Sequence, residues 1–514
     1  MIFRPVYLLA AAALISLAGC GGDNAAPVTP VDPPAPPPPP LVYAGASPGT
    51  SDELFNHCET PKPGKIVNQQ GTQADEKGFI RAFTSATYLW NQEVPDADPT
   101  TFPTVIDYFN ALKTPLLTAS GRPKDRFHFT YSTEEYDALS TGVDLGYGMT
   151  WLVGNNNKLP RVWNVAMAEP GSPAAQAGVR RGDQLIMIDG LDFINRGDKD
   201  GVAQINAALT PAKEGEQHRF SFWRDGVQLD FMLAAGKVTS VPVQNTRVID
   251  TASGKLGYLT FNSHNEPAEK QLYDAFSTFK AANVSDLVLD MRYNGGGLLT
   301  IASELAFMVA GPDASNGKVF VQYATNGHLQ SGRPTPFLAK AAGLWTTVPL
   351  AAGTPLPHLD LKHVTVLAGP NTCSASEAVI NGLRGIGIAV DVVGGQTCGK
   401  PYAFIPISNC GTTYFLVQYQ NTNQQGWGDY ADGFAPTCAA SDDLSHAIGD
   451  PAEGLLALAI GLHNGQACPA PRQASALRRA APVPANAAAK TAAQANTVLS
   501  RPQLRDIAIV PSAR

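Results

Sequence analysis

Charge is scarce in this chain. Asp, Glu, Lys and Arg together make up 16% of its 514 residues, and the net charge is −7. No basic run is long enough to track a phosphate backbone, which argues against nucleic acid as a partner. The seven cysteines include no CxxC pair, so a zinc ribbon is not expected and no metal or other cofactor is assigned. Past the N-terminus, no stretch is apolar for long enough to cross a bilayer. Two further absences concern one segment, "GPNTCSASEAVINGLRG" at 369–385. Its serines, Ser374 and Ser376, sit in no Gly-x-Ser-x-Gly elbow, and no histidine lies within ten residues of either. A nucleophile there needs a base from elsewhere in the chain.

What is present begins with an export signal. Arg4 precedes the apolar run "VYLLAAAALISLAG", which is short for a membrane span and suits a signal peptide over 1–19. The ending "LAGC" resembles a bacterial lipobox, in which Cys20 becomes the lipidated first residue of the mature chain. Residue 21 is Gly rather than Asp. By resemblance to enterobacterial lipoproteins, that favours anchoring in the outer membrane, facing the periplasm or the cell surface. Six cysteines then remain: Cys58, Cys373, Cys398, Cys410, Cys438 and Cys468. An even set in an oxidising compartment suggests disulfides, with 15 pairings open.

A length of 514 residues predicts two or three domains. Residues 20–49 contain "PVDPPAPPPPP", an extended polyproline spacer. Residues 50–142 read as a small helical domain. Phe79, Phe83, Ala86 and Trp90 share one helical face, and Val105, Phe109 and Leu112 repeat the pattern. Residues 143–238 are mostly strands, and 239–468 alternate strand and helix as an α/β unit with crossover connections. From 469 to 514 the Ala/Pro-rich composition predicts a disordered tail.

Three segments of the α/β unit carry chemistry. Ser374 to Glu377 reads S-x-x-E, a capping box, so a serine here can simply start a helix. It also follows a strand and a turn, where helix N–H groups converge and favour negative charge. "NGGG", Asn294 to Gly297, can bring bare N–H groups beside a reacting carbonyl. "GGQTCGKPYAF" places Lys400 after a third strand, and a desolvated lysine can act as general base.

In order, "LDMRYNGGG", "TCSASEAV" and the Gly399–Lys400 turn resemble the motifs of the C-terminal processing (tail-specific) serine peptidases. Upstream, "GSPAAQAGVRRGDQLIMIDG" (171–190) resembles a PDZ domain. The resemblance covers roughly 145–465 and implies a crotonase/Clp-protease-like α/β core beside a PDZ-like β-rich domain. It implies Ser374 as nucleophile, Lys400 as base, and an oxyanion hole from the N–H groups of Ala375 and Gly296 or a neighbouring glycine. Ser376 becomes a packing or hydrogen-bonding neighbour. The PDZ carboxylate-binding loop would be Gly146, Tyr147, Gly148 and Met149, holding peptide or protein substrates by accessible C-terminal ends. If Ser374 and Lys400 meet, Cys373 and Cys398 come close enough for a disulfide.

Two departures from the family pattern stand out. Phe404 occupies the position, four residues after the lysine, where many members carry an orienting glutamine, and Cys373 replaces the usual alanine. The leading expectation is an exported serine endopeptidase acting on unfolded or tail-exposed proteins through an acyl-enzyme. Its rivals are a peptide-binding adaptor lipoprotein, a hydrolase of non-peptide esters, and a Ser/His enzyme using His264.

Overall fold

The computed structural model describes residues 50–62, 67–155, 159–329, 333–344, 347–469 and 497–499. The signal, lipidation and spacer assignments over 1–49 lie outside these residues. Among the described residues, no helix is long and apolar enough to cross a membrane.

The alternation of apolar and amphipathic segments between 254 and 394 becomes a largely parallel sheet. Its strand order is Val243–Thr251, Gly254–Phe261, Asp286–Asp290, His363–Ala368, Ala389–Gly394 and Cys438–Ala439. The first pair is antiparallel and every later pair is parallel. Alternate side chains serve opposite faces, as the two-residue period of a strand requires. Leu287 and Leu289 join the helices on one face, where Phe276, Leu305 and Val379 are buried. Val288 points to the other face, against Leu455, Leu456 and Ala459 of the helix Gly454–His463. Both faces are covered, which explains the nearly unbroken apolar run "DLVLD".

The β-rich block is an antiparallel sheet ordered Val227–Ala234, Gln217–Arg224, Gln184–Ile188, Val162–Ala168, Met149–Asn155 and Thr497–Leu499. The short helix Pro173–Ala177 is capped by Ser172 and ends at left-handed Gly178 (φ +89°), the turn that only glycine adopts without strain. Within the segment read as a disordered tail, residues 497–499 pair as a strand on this sheet. The rest of 470–514 lies outside the described residues.

The N-terminal block is helical as expected, with helices Gln73–Thr87, Val105–Ala111 and Thr133–Ser140. It does not keep a core of its own. Phe79, Tyr88, Tyr108 and Phe109 are buried with Tyr402, Tyr414, Leu416 and Val417 of the α/β region. The strand Phe129–Ser132 pairs with Thr412–Phe415, and the Cys58–Cys410 disulfide fixes the same seam.

An ion-pair network joins the β-rich block to the α/β core. Arg181 donates to Asp442 at 2.6 Å, and Asp442 also receives Arg292 at 2.7 Å. Arg292 is buried against Asp290 and Glu453. Tyr293, next along the chain, hydrogen-bonds Asp442 and accepts from Arg181. Asp443 caps Ser445 and Gly454 and pairs with His446.

Candidate active site

Three adjacent parallel strands, 286–290, 363–368 and 389–394, deliver the three motif segments from their carboxyl ends. That edge of an open α/β sheet is where loops converge and ligands bind. The segments are tied to one another by short bonds. Thr372 Oγ1 donates to the Met291 carbonyl at 2.9 Å, and the Cys373 N–H donates to the Asn294 carbonyl at 3.1 Å. The Cys398 N–H reaches the Thr372 carbonyl at 3.1 Å, and a Cys373–Cys398 disulfide closes the same seam.

Ser374 stands at the start of the helix Ala375–Gly385 with φ +55° and ψ −113°, a sparsely populated conformation for a non-glycine residue. Such strain persists only where surrounding contacts impose it. Here Glu377 imposes it. One oxygen of its fully buried carboxylate accepts the N–H groups of Ser374 at 3.0 Å and Lys400 at 2.8 Å. The other accepts Thr397 Oγ1 at 2.6 Å and the Gly399 N–H at 2.8 Å. Burial raises the Glu377 carboxyl, and these donors pull it back down. The S-x-x-E pattern is thus more than a cap, because its glutamate joins the serine turn to the lysine turn. Gly399 (φ +87°) has no room for a Cβ, which would fall 2.3 Å from the Ala431 carbonyl.

Lys400 is buried, and desolvation lowers its pKa to about 7. The nearby charges of Asp125 and Glu377 oppose that shift. Among the described residues, its ammonium makes no salt bridge. It lies 3.9 Å from the Phe404 ring centroid and 5.2 Å from that of Phe127. Arg126 donates to the carbonyls of Cys398 and Gly399, and Arg122 bonds Asp432 at 2.7 Å. Asp125, Arg126 and Phe127 come from the N-terminal block. Sequence reasoning found none of them, since no local pattern marks a residue whose role is contact with a lysine almost three hundred positions away.

Gly296 packs directly on the serine turn. A Cβ there would fall 2.8 Å from Ser374 Cβ and 2.9 Å from the Ala375 nitrogen. Its own N–H, however, donates to Asn294 Oδ1 at 2.9 Å. The N–H groups with no hydrogen bond among the described residues are those of Gly295 and Gly297. Ala375, at the first helical position, has no intrahelical acceptor for its N–H. Ser376 is a neighbour in the expected sense: its Oγ donates to the Asn294 carbonyl at 3.1 Å.

His264 is fully buried beside the same glycine turn. Its Nδ1 lies 3.1 Å from Asn294 Oδ1, and its N–H donates to the Gly296 carbonyl. Burial pushes its pKa down to about 4, and its Nε2 finds no partner among the described residues. In the β-rich block, Gly146, Tyr147 and Met149 are buried, and the Tyr147 ring packs on Phe220 at 5.0 Å. The carbonyls of Tyr147 and Gly148 accept the N–H groups of Ala174 and Glu169. Two clusters have the residue types of metal ligands, Cys58/Glu76/Cys410 and Cys373/Glu377/Cys398. Each is built around a disulfide, so its sulfurs are not thiolates.

A crossover α/β core that holds a helix-start serine and a buried lysine turn together, with a PDZ module docked on it, defines a class: the PDZ-containing peptidase fold. Comparison with known proteins then places the chain within it. Residues 255–408 match peptidase family S41, residues 165–224 match the PDZ domain, and residues 75–132 match the peptidase S41 N-terminal domain. Residues 255–408 are thus a peptidase family S41 segment, preceded by matches to that family's N-terminal domain and to a PDZ domain. It is 26% identical over 276 residues to a carboxyl-terminal-processing protease of Picosynechococcus, covering 52% of this chain and 58% of that protein. It is 28% identical over 130 residues to the carboxy-terminal processing protease CtpA of Bacillus subtilis, covering 25% and 26% respectively. The chain therefore spans less than two thirds of these relatives' length. A putative S41 protease of Bacteroides fragilis shares the fold at TM-score 0.57 and 22% identity, covering 79% of this chain and 99% of that one.

Proposed function

We propose that this chain is an exported serine endopeptidase of the C-terminal processing type, working through Ser374 and Lys400. The observation that carries this reading is the shared carboxylate of Glu377, which holds the Ser374 and Lys400 backbones on one oxygen while Lys400 is desolvated to a pKa of about 7. A lysine in that range is substantially neutral at pH 7 and can accept a proton.

In the proposed reaction, Ser374 Oγ attacks the scissile carbonyl and passes its proton to Lys400 Nζ. The Ala375 N–H and a glycine N–H of the 295–297 turn stabilise the oxyanion. Collapse breaks the C–N bond, and the leaving amine takes the proton from Lys400. Water then attacks the acyl-Ser374 ester and gives its proton to Lys400, which returns it to Ser374 Oγ as the ester C–O bond breaks. The PDZ domain would deliver unfolded or tail-exposed proteins by their C-terminal ends. The lipobox-like ending at Cys20 supports anchoring in the outer membrane. Three disulfides, Cys58–Cys410, Cys373–Cys398 and Cys438–Cys468, suit an oxidising compartment.

The test is digestion of an unfolded protein, read by mass spectrometry, beside Ser374→Ala and Lys400→Ala. Loss of cleavage in both variants supports the dyad. The unpartnered Nε2 of His264 favours a second reading, in which His264 is the base; cleavage that survives Lys400→Ala but not His264→Ala would establish it. No cleavage by any form would favour a peptide-binding adaptor.

A further inference from the structure

The strand Thr497–Leu499 lies where a PDZ ligand would lie. It pairs antiparallel with Met149–Asn155, in the register Thr497 to Val153, Val498 to Leu152 and Leu499 to Trp151. On its other side, Met149–Asn155 pairs with Val162–Ala168. Without residues 497–499, the 149–155 strand would be a bare sheet edge, a template for any extended peptide. It is also the strand that follows the Gly146–Met149 loop, and the added strand runs toward that loop as its numbering rises. A peptide bound by strand addition with its C-terminal end at the loop would run the same way.

We propose that residues 497–499 are an internal ligand of the PDZ edge, occupying the substrate's strand position until a competing C-terminal segment displaces them. This rests on reading the PDZ domain as the peptide-delivery module. Two features support it. First, the segment belongs to the same chain, so tethering raises its effective concentration at the edge above that of a free peptide. Leu499 is followed by further chain, so the segment offers the main-chain ladder and not its own terminal carboxylate. A substrate end offering both has the advantage needed for displacement. Second, the paired strand shares a buried cluster with a residue of the catalytic motif. Its Trp151 and Val153 face the PDZ core, whereas Leu152 packs on the opposite side with Ala166, Met167 and Tyr293. Tyr293 immediately precedes the Asn294–Gly297 turn, so the strand a ligand joins shares a buried cluster with the residue that leads into that turn.

The test compares the full chain with the full-chain double variant Val498→Pro/Leu499→Pro. Alternate residues of an antiparallel strand face the partner, so adjacent prolines remove a ladder donor whatever the phase. Both belong to the C-terminal tail segment, and circular dichroism checks that the fold is kept. The probe is a fluorescein-labelled peptide of residues 495–501, read by anisotropy, with hydrogen exchange of 149–155 measured alongside. The expected result is at least tenfold tighter probe binding by the variant and faster exchange across 149–155. Equal binding by both forms, binding by neither, or unchanged exchange would overturn the proposal. Cleavage of an unfolded protein, measured in parallel, should be at least threefold faster in the variant if its binding is tighter. Absence of cleavage in both forms would count against the peptidase reading alone, since anisotropy and exchange need no catalysis and still decide the proposal.

Discussion

The Lys400 ammonium rests on the ring of Phe404, 3.9 Å from its centroid. Phe404 stands where many relatives are expected to carry glutamine, and the difference is chemical. An amide oxygen would accept a hydrogen bond from the ammonium. A ring face attracts the cation less strongly and excludes water from it. Phe404→Leu should keep the site dry but remove the ring's attraction, disfavouring the protonated lysine. The acid limb of the pH–rate profile should then move down by about half to one unit. Phe404→Gln should move it up. Profiles of kcat/KM for the three forms decide the matter, and coincident limbs would refute it.

The wild-type profile is itself a prediction. A base works when neutral, and Lys400 is neutral above its lowered pKa of about 7. Activity should therefore rise with pH through about 7 and level off above it. Asp125 contributes a negative charge that favours the protonated lysine. Asp125→Asn should shift the rise to lower pH, and a shift to higher pH would contradict this account.

Glu377→Gln tests the tie between the two turns. A glutamine offers one acceptor oxygen and an NH2 group, so at least one backbone donor now held at 2.8–3.0 Å would face another donor. A buried donor left unsatisfied costs ~1–3 kcal/mol, which thermal unfolding would show. Misalignment of the serine and lysine turns should lower kcat by ~10- to 100-fold. A variant with unchanged kcat would show that the Cys373–Cys398 disulfide and the Cys398 N–H to Thr372 carbonyl bond suffice to hold the two turns.

The disulfides should differ in weight. Cys58–Cys410 closes a sequence separation of 352 residues and Cys373–Cys398 one of 25. Loop-closure entropy gives ~6 and ~3.5 kcal/mol respectively. Calorimetry of the two double alanine variants should find the Cys58/Cys410 pair the more destabilised. The Cys373/Cys398 pair should show the larger loss of activity, since that bridge joins the two active-site turns.

Much of the site was legible in order along the chain. Ser374, Lys400 and the 294–297 turn are marked by short motifs at strand ends, and the resemblance of those motifs to a known family implied that they meet. The donor assigned to Gly296 needed the structure, because the hydrogen bond from its N–H to Asn294 Oδ1 depends on how the turn folds. The role of Glu377 was half legible: its capping-box spacing is local, but its hold on Lys400 spans a strand and a turn.

The sequence by itself determined the period-two and helical patterns, the order of the blocks, and the residue types available for acyl transfer, because each is a local property of a short segment. Only tertiary structure decided the surroundings of Lys400, the core shared by the N-terminal block and 402–417, and the docking of Thr497–Leu499 on a strand over three hundred residues away. The physical reason is the same in each case. Desolvation, ring contact and strand addition depend on which distant surfaces meet, and local periodicity carries no record of that.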